Sequence, residues 1–367
     1  MMRKKIVWVT PINFMDNNKD VVPYLSREFD IHWIILASTM PSDTTEIVKL
    51  GSSSLKVEFY VVSSRWYSLF CLFSYIKFFN YLKRLECDAI YYNKSPQLWE
   101  YYAARFCLPC SKAVFALHNV KVPQGARYEK MARYYMKRLV KNFDNFHVFS
   151  YNQKEYLETL CKGKNILYAP LPLIDFGAKE ERTDFLDKVN FLAFGYIRKY
   201  KRFDLLIDAA QMLFEETKQP FVVTIVGKCN NWEDYNIRIK YPELFNLHIG
   251  FVEDEKVSHF FSNCDYLVQP YQDLAQSGPL MLALNYHVPV IASNIPAFKE
   301  FIVDNETGYF FETEDAMSLK QLMKNLLELT DEQRRTIVEN VKRYADENHS
   351  MESLLQKYKS YFDGFNN

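Results

Sequence analysis

Short apolar runs alternate with helix-patterned segments along nearly the whole chain, and the pattern runs twice. The first series of runs covers 5–10 (KIVWVT), 31–37, 55–62, 88–92, 113–117, 145–149 and 166–168. Helical periodicity fills the gaps at 21–29, 66–82, from about 97, at 126–142 and at 152–160. A nearly continuous apolar strand is buried on both faces, as in a parallel sheet. Strand and helix in turn, at this spacing, mean such a sheet wrapped by helices. The turn-rich Pro170-Leu171-Pro172 and the polar run 178–182 then read as a linker. After it the pattern restarts, with strands at 189–194, 221–226, 247–251, 265–269, 288–292 and 309–311. Helices are expected at 203–213, 255–262, 297–303, 316–329, 331–344 and 351–362. The chain is therefore expected to be α/β, with two parallel-sheet domains over 1–172 and 173–345 facing a cleft. The helix within 346–367 is expected to cross back to the first domain.

Composition narrows the function classes. The 367 residues suffice for two cores. Lys+Arg and Asp+Glu both number 45, so there is no basic excess of the kind that marks a nucleic-acid binder. The seven cysteines are odd in number and scattered through apolar contexts, which suits reduced thiols. Cys107 and Cys110 form a C-x-x-C after a helical run rather than at a helix start, and no second ligand pair stands at zinc spacing. The apolar run 6–9 after the basic start is too short for a secretory leader, so a cytoplasmic protein is expected. The aromatic segment 66–82 contains Lys77 and reads as a packed or amphipathic helix, with membrane contact the minority reading.

Charge gathers at two places in the second domain. Gly195 ends a strand, and Arg198, Lys199, Lys201 and Arg202 crowd the next seven residues. Four cations in a turn at the C-terminal rim of a sheet suit a dianion. A solvated basic turn is the plain alternative. The second place is 271–293, which reads as loop, buried helix and strand. Its loop Gln276-Ser277-Gly278 leads into a helix opened by Pro279, and a helix start presents free N–H groups to an anion. Most loop–helix–strand units bind nothing, so the neighbouring residues must carry the argument. In the first domain, the rim rule for parallel sheets brings 11–16 and 118–124 together.

An ordered set of segments carries a family resemblance: GYIRKYK at 195–201 with DLLIDA at 204–209, VTIVG at 223–227, DYLVQPY at 265–271, PVIAS at 289–293 and NETGYF at 305–310. With these the chain resembles the retaining nucleotide-sugar glycosyltransferases of glycosyltransferase family 4. That family has the GT-B fold of two Rossmann-like domains. The first domain matches only in outline, through LHN at 117–119 and FSYNQKE at 149–155. The resemblance implies a metal-independent hexosyltransferase that needs no cofactor and takes a nucleotide-diphosphate sugar as donor. The implied acceptor is a glycan or a lipid-linked molecule, in surface polysaccharide or glycoconjugate synthesis. It also implies a cytoplasmic site of action, at the inner membrane face where the N-terminal domain touches lipid, and no nucleic-acid partner.

The resemblance further implies site roles. Arg198 and Lys201 match the pair that holds the donor diphosphate, and His118 matches a histidine near the transferred sugar. Gly195, Gly227, Phe251, Tyr271, Gln276, Ser277 and Gly278 fall on the donor side, and Asn13, Asn119 and Lys121 on the acceptor side. The chain departs from the family in one motif. Two glutamates with seven residues between them are usual, and aligned on PVIA those positions are Leu274 and Leu282. This departure keeps a second reading open, a catalytically degenerate homologue that binds a nucleotide sugar as a regulatory partner. A nucleotide-sugar epimerase is less favoured, because well-placed carboxylates are missing.

Overall fold

A computed structural model describes residues 3–15, 18–62, 68–121 and 128–365. In chain order the elements are β1 (Lys5–Pro11), α1 (Val21–Leu25), β2 (Asp30–Ala37), α2 (Thr45–Lys49), β3 (Leu55–Val61), α3 (Leu69–Lys83), β4 (Ala89–Tyr92), α4 (Trp99–Cys107), β5 (Ala113–Leu117), α5 (Glu129–Asn142), β6 (Asn145–Val148), α6 (Tyr151–Leu160) and β7 (Asn165–Tyr168). There follow β8 (Val189–Phe194), α7 (Phe203–Thr217), β9 (Phe221–Gly227), α8 (Glu233–Asn236), β10 (Phe245–Ile249), α9 (Val257–Ser262), β11 (Tyr266–Gln269), α10 (Gly278–Asn285), β12 (Val290–Ser293), α11 (Pro296–Lys299), β13 (Gly308–Phe311), α12 (Ala316–Leu327), α13 (Asp331–Asn348) and α14 (Met351–Asp363). The chain divides into two compact units, Met1–Pro172 with Met351–Asn367, and Leu173–Ser350.

The first unit is built on a seven-stranded sheet in the order β3-β2-β1-β4-β5-β6-β7, parallel at every pairing. Its strands are buried on both faces, so alternate residues feed two cores. Val7, Val9, Ile34 and Leu36 pack with α3, α4 and α5, while Ile6, Trp8, Ile31, Trp33 and Ile35 pack with α1 and α14. Trp8 stacks on Tyr91 at 3.8 Å between ring centroids, and Tyr358 of α14 tilts against Trp8 at 5.5 Å. The outer face of α3 is different in kind, because Leu69, Phe70 and Phe73 are exposed there.

The second unit is built on a six-stranded parallel sheet in the order β10-β9-β8-β11-β12-β13. In both sheets the strand order reverses, between β1 and β4 and between β8 and β11. Loops leaving the two central strands there turn to opposite faces and open a crevice at the C-terminal edge, where ligands bind in sheets of this kind. Both sheets are of the Rossmann-like type.

Several boundaries differ from the sequence expectation. The helix expected from 66 begins at Leu69, where Ser68 caps it by accepting from the Phe70 N–H. Residues 66 and 67 lie outside the described residues, as do 126 and 127 of the segment expected before α5. The segment 255–262 splits into a 3-10 turn at Asp254–Lys256 and α9. Helix α13 runs on to Asn348, closed at its start by a capping box between Thr330 and Gln333. The short helices α2 and α8 were not expected, since four or five residues are too few to show a 3.6-residue period.

Candidate active site

Glycines make the rim of the second unit narrow. Gly195 follows β8 with φ +104° and donates its N–H to Val226 O at 2.9 Å. Gly227 ends β9 with φ +142°, and a methyl group there would stand 2.1 Å from Gly195 O. Only glycine lets the two backbones pass so closely. Gly250 donates to Gly227 O at 3.1 Å, which brings the loop that carries Phe251 to the same rim. Phe251 itself is 84% exposed, a large apolar ring standing in solvent.

Three of the four clustered cations separate into two kinds. Arg202 is held inside the unit by Asp204, at 3.1 Å, and by Glu314, at 2.8 Å. Among the described residues, Arg198 and Lys201 have no carboxylate partner. Arg198 lies over the Tyr196 ring at 4.3 Å and lines a pocket with Tyr196, Asn230, Asn231 and Tyr235. Lys201 is buried in the short 3-10 turn Lys199–Lys201. Its Nζ would be 3.2 Å from a methyl placed on Gly195, and the ring of Pro279 would be 3.3 Å from that methyl. Burial, reinforced by the charge of Arg198, brings the Lys201 pKa down to about 8. A buried cation without a counter-ion is costly, and an incoming dianion removes that cost.

Opposite Lys201 stands the start of α10. Ser277 caps the helix, its Oγ accepting from the Leu280 N–H at 3.2 Å and lying 2.9 Å from Gln269 Nε2. The hydroxyl is thus used within the chain, so any contact Ser277 makes with a ligand comes from its backbone. Met281 N–H reaches Ser277 O, and Pro279 has no N–H to give. Among the described residues the Gly278 N–H has no acceptor, which leaves it for an anion. Every residue from Leu280 to Leu284 is buried. Leu282, at one of the two positions where the family has glutamate, is core, and Leu274 is half-buried. Tyr271 is buried beneath Lys201, and Gln276 is half-buried in the same loop.

In the first unit the loops after β1, β4 and β5 meet around His118. Its ring lies between Phe14 (4.5 Å, 4° between planes) and Phe149 (4.6 Å, 20°). Its Nε2 is 3.0 Å from Asn93 Oδ1. Burial takes the His118 pKa down to about 4, so the imidazole is neutral near pH 7. Asn13, Asn119 and Lys121 are exposed around this ring. The N–H groups of Val120 and Lys121 donate to Gln153 Oε1 at 2.8 and 3.0 Å, which ties the loop after β5 to α6. Residues 16 and 122–124 of the rim loops lie outside the described residues. Asn93, Asn18 and Gln153 were not singled out as site residues. Their signal was positional only, since Asn93 directly follows β4 and neighbours β5 across the sheet.

A model of the family "Glycosyl transferases group 1" matches residues 178–344. An uncharacterized 41.2 kDa protein in the cps region of Klebsiella pneumoniae is 26% identical over 176 residues, 48% of this chain and 47% of that protein. The chain thus matches about half the length of this relative. Among solved structures, a glycosyltransferase from Rickettsia africae superposes with a TM-score of 0.74 at 14% identity, covering 100% of this chain and 99% of the other. HepE of Anabaena, solved in complex with UDP and glucose, superposes with a TM-score of 0.71 at 13% identity, covering 98% of this chain and 100% of the other. At such identities the likeness establishes fold. Residues 178–344 are similar to the group 1 glycosyl transferase family, on a chain with the GT-B fold.

Proposed function

We propose that the protein is a retaining, metal-independent glycosyltransferase of glycosyltransferase family 4 that moves a hexosyl group from a nucleotide-diphosphate sugar to a glycan or lipid-linked acceptor. The observation that carries this reading is the pair Arg198 and Lys201, cations without carboxylate partners among the described residues, with Lys201 close to the start of α10. The bond between the sugar C1 and the phosphate oxygen breaks, and the nucleoside diphosphate leaves with the electron pair. The acceptor hydroxyl oxygen bonds C1 from the same face, and its proton passes to the leaving phosphate. Arg198, Lys201 and the Gly278 N–H stabilise the charge that builds on that phosphate. His118 orients the sugar as a neutral ring. The binding of UDP and glucose by HepE supports a nucleotide-sugar donor, and the family match supports glycosyl transfer. A relative in a cps region fits polysaccharide or glycoconjugate assembly. A screen of nucleotide sugars for thermal stabilisation and hydrolysis tests the reading. No stabilisation and no hydrolysis by any donor overturns it.

The leucines at 274 and 282 favour a second reading, a homologue that binds donor without turnover. Stabilisation by a donor, with no nucleotide released on addition of acceptor, would select it.

Action at the inner membrane face is part of the same proposal. The outward sides of α3, α4 and α5 carry Phe70, Phe73 and Phe106 together with Lys77, Arg105 and Lys137, all exposed. Aromatic rings and cations on one helical layer fit an anionic lipid surface. Sedimentation with anionic and with neutral vesicles checks this, and equal or no binding to both removes it.

A further inference from the structure

We infer that the pocket between the loops after β8 and β9 is a carbohydrate subsite, which takes an uncharged saccharide unit of the acceptor that is not itself transferred. The inference rests on the proposed function for calling that sugar part of the acceptor; the preference for a sugar follows from the lining. The pocket has a volume of about 600 Å³, the size of a small-ligand cleft. Arg198 stands on its wall, so it adjoins the cations assigned to the donor. Lys201, Gly195 and Gly278 do not line it, so it is a separate space.

Charge decides against an anionic ligand. Two arginines of the lining are already neutralised, Arg202 by Asp204 and Glu314, and Arg238 by Asp208. Arg198 is assigned to the donor phosphate. The remaining charged residues of the lining, Lys199 and Asp234, are of opposite sign. Hydrogen-bonding capacity, by contrast, is left over. Tyr196 Oη donates to Asn230 Oδ1 at 2.7 Å, and the Asn230 amide protons are unused among the described residues. Among the same residues, the side chains of Asn231 and Asp234 and the hydroxyl of Tyr235 have no hydrogen-bond partner. An amide and a phenol both donate and accept, and a carboxylate accepts. Sugar hydroxyls likewise donate and accept, so a row of them satisfies this mixed set. A phosphate dianion only accepts and gains nothing from Asp234. Tyr235 is stacked on Trp232, with 5.8 Å between centroids and 12° between planes, which fixes the plane of its ring. An aromatic ring set among polar groups suits a saccharide, apolar on its C–H face and polar at its edge.

Saturation-transfer NMR tests the inference on the full chain, with neutral trisaccharides of glucose, galactose, mannose and N-acetylglucosamine as probes. Each is measured alone and with saturating UDP. The expected result is binding of at least one trisaccharide, which persists with UDP present and in Lys201→Ala. Asn231→Ala and Tyr235→Ala should each weaken that binding roughly tenfold. Asn231 is exposed, so its substitution decides the matter even if Tyr235→Ala does not fold. Binding of no trisaccharide overturns the inference. So does displacement of the sugar by UDP, which would make the pocket part of the nucleotide site, and so does unchanged affinity in Asn231→Ala. Turnover of nucleotide sugars is measured beside the spectra. A protein that binds trisaccharide as expected but turns over no donor keeps the subsite and loses the transferase reading. One that turns over a donor but binds no trisaccharide keeps the transferase reading and loses the subsite.

Discussion

The ammonium of Lys201 lies 5.0 Å from the centroid of the Tyr271 ring. The face of that buried ring offers the charge partial compensation. The pair links the loop after β8 to the loop after β11, across the point where the strand order reverses. Replacing Lys201 by Ala should lower kcat by roughly 10², the effect of losing one transition-state contact of ~3 kcal/mol. Steady-state rates with the best donor from the screen check it, and an unchanged kcat removes Lys201 from the chemistry.

The same residue gives a pH signature. With a pKa of about 8 in the free protein, Lys201 loses its charge on the alkaline side, and kcat/KM for the donor should fall as pH rises through that value. Lys201→Arg should move the fall to higher pH, because a guanidinium stays charged. Unfolding through this group is not the cause. Its folded pKa lies below its usual value of 10.5, so between about 8 and 10.5 the unfolded chain binds more protons, and this group's contribution to stability rises with pH. A pH profile of kcat/KM, run beside a melting curve at each pH, separates the two.

Gly227→Ala should prevent normal closure of the second unit. The new methyl would overlap Gly195 O, which is backbone and cannot rotate away. Gly163→Ala is the matched control, since Gly163 also has positive φ (+71°) but open space around it. It should cost only the local strain of about 1 kcal/mol. Chemical denaturation of both variants is the measurement, and equal losses would contradict the close approach of the two rim glycines.

Leu282→Ala should cost on the order of 2–5 kcal/mol, as expected for a leucine buried in an all-apolar helix. The donor dissociation constant of the protein that remains folded should change little. A large loss of donor affinity at full stability would show Leu282 acting on the ligand instead.

Acid should weaken the first unit through two histidines. Burial lowers His118 to about 4 and His147 to about 3, and His147 is further engaged by Tyr91 Oη at 2.6 Å and Ala169 O at 2.8 Å. Near pH 5 both are protonated in the unfolded chain and neutral in the folded one. Stability therefore falls as pH drops from 6.5 toward 4. Denaturation followed by the fluorescence of Trp8 and Trp33 across that range checks the sign, and a flat profile would count against both burials.

The strands were legible because each is a short apolar run, and the two-sheet plan because the runs alternate with helices. The site was legible only in part. Arg198 and Arg202 look alike in the sequence, yet Glu314, which neutralises Arg202, lies 112 residues further on. The Ser-Gly-Pro stretch signalled a helix start, but not that Ser277 would cap it or that Gln269 would bond the same hydroxyl. Asn93 and His118 are 25 residues apart and meet only because β4 and β5 are neighbours. Local pattern reports what a segment does alone, and these three pairings depend on sheet order.

Helix α14 has a consequence for how the protein is made. Its Tyr358 closes over Trp8 and Tyr91, its Phe362 meets Phe29 at 5.6 Å, and its Lys359 pairs with Glu28 at 2.6 Å. These partners leave the ribosome early, whereas α14 follows only after the whole of Leu173–Ser350. The unit translated first therefore waits, one core face open, for the unit translated second, and a stalled or truncated nascent chain would expose Trp8 and Tyr91 to aggregation.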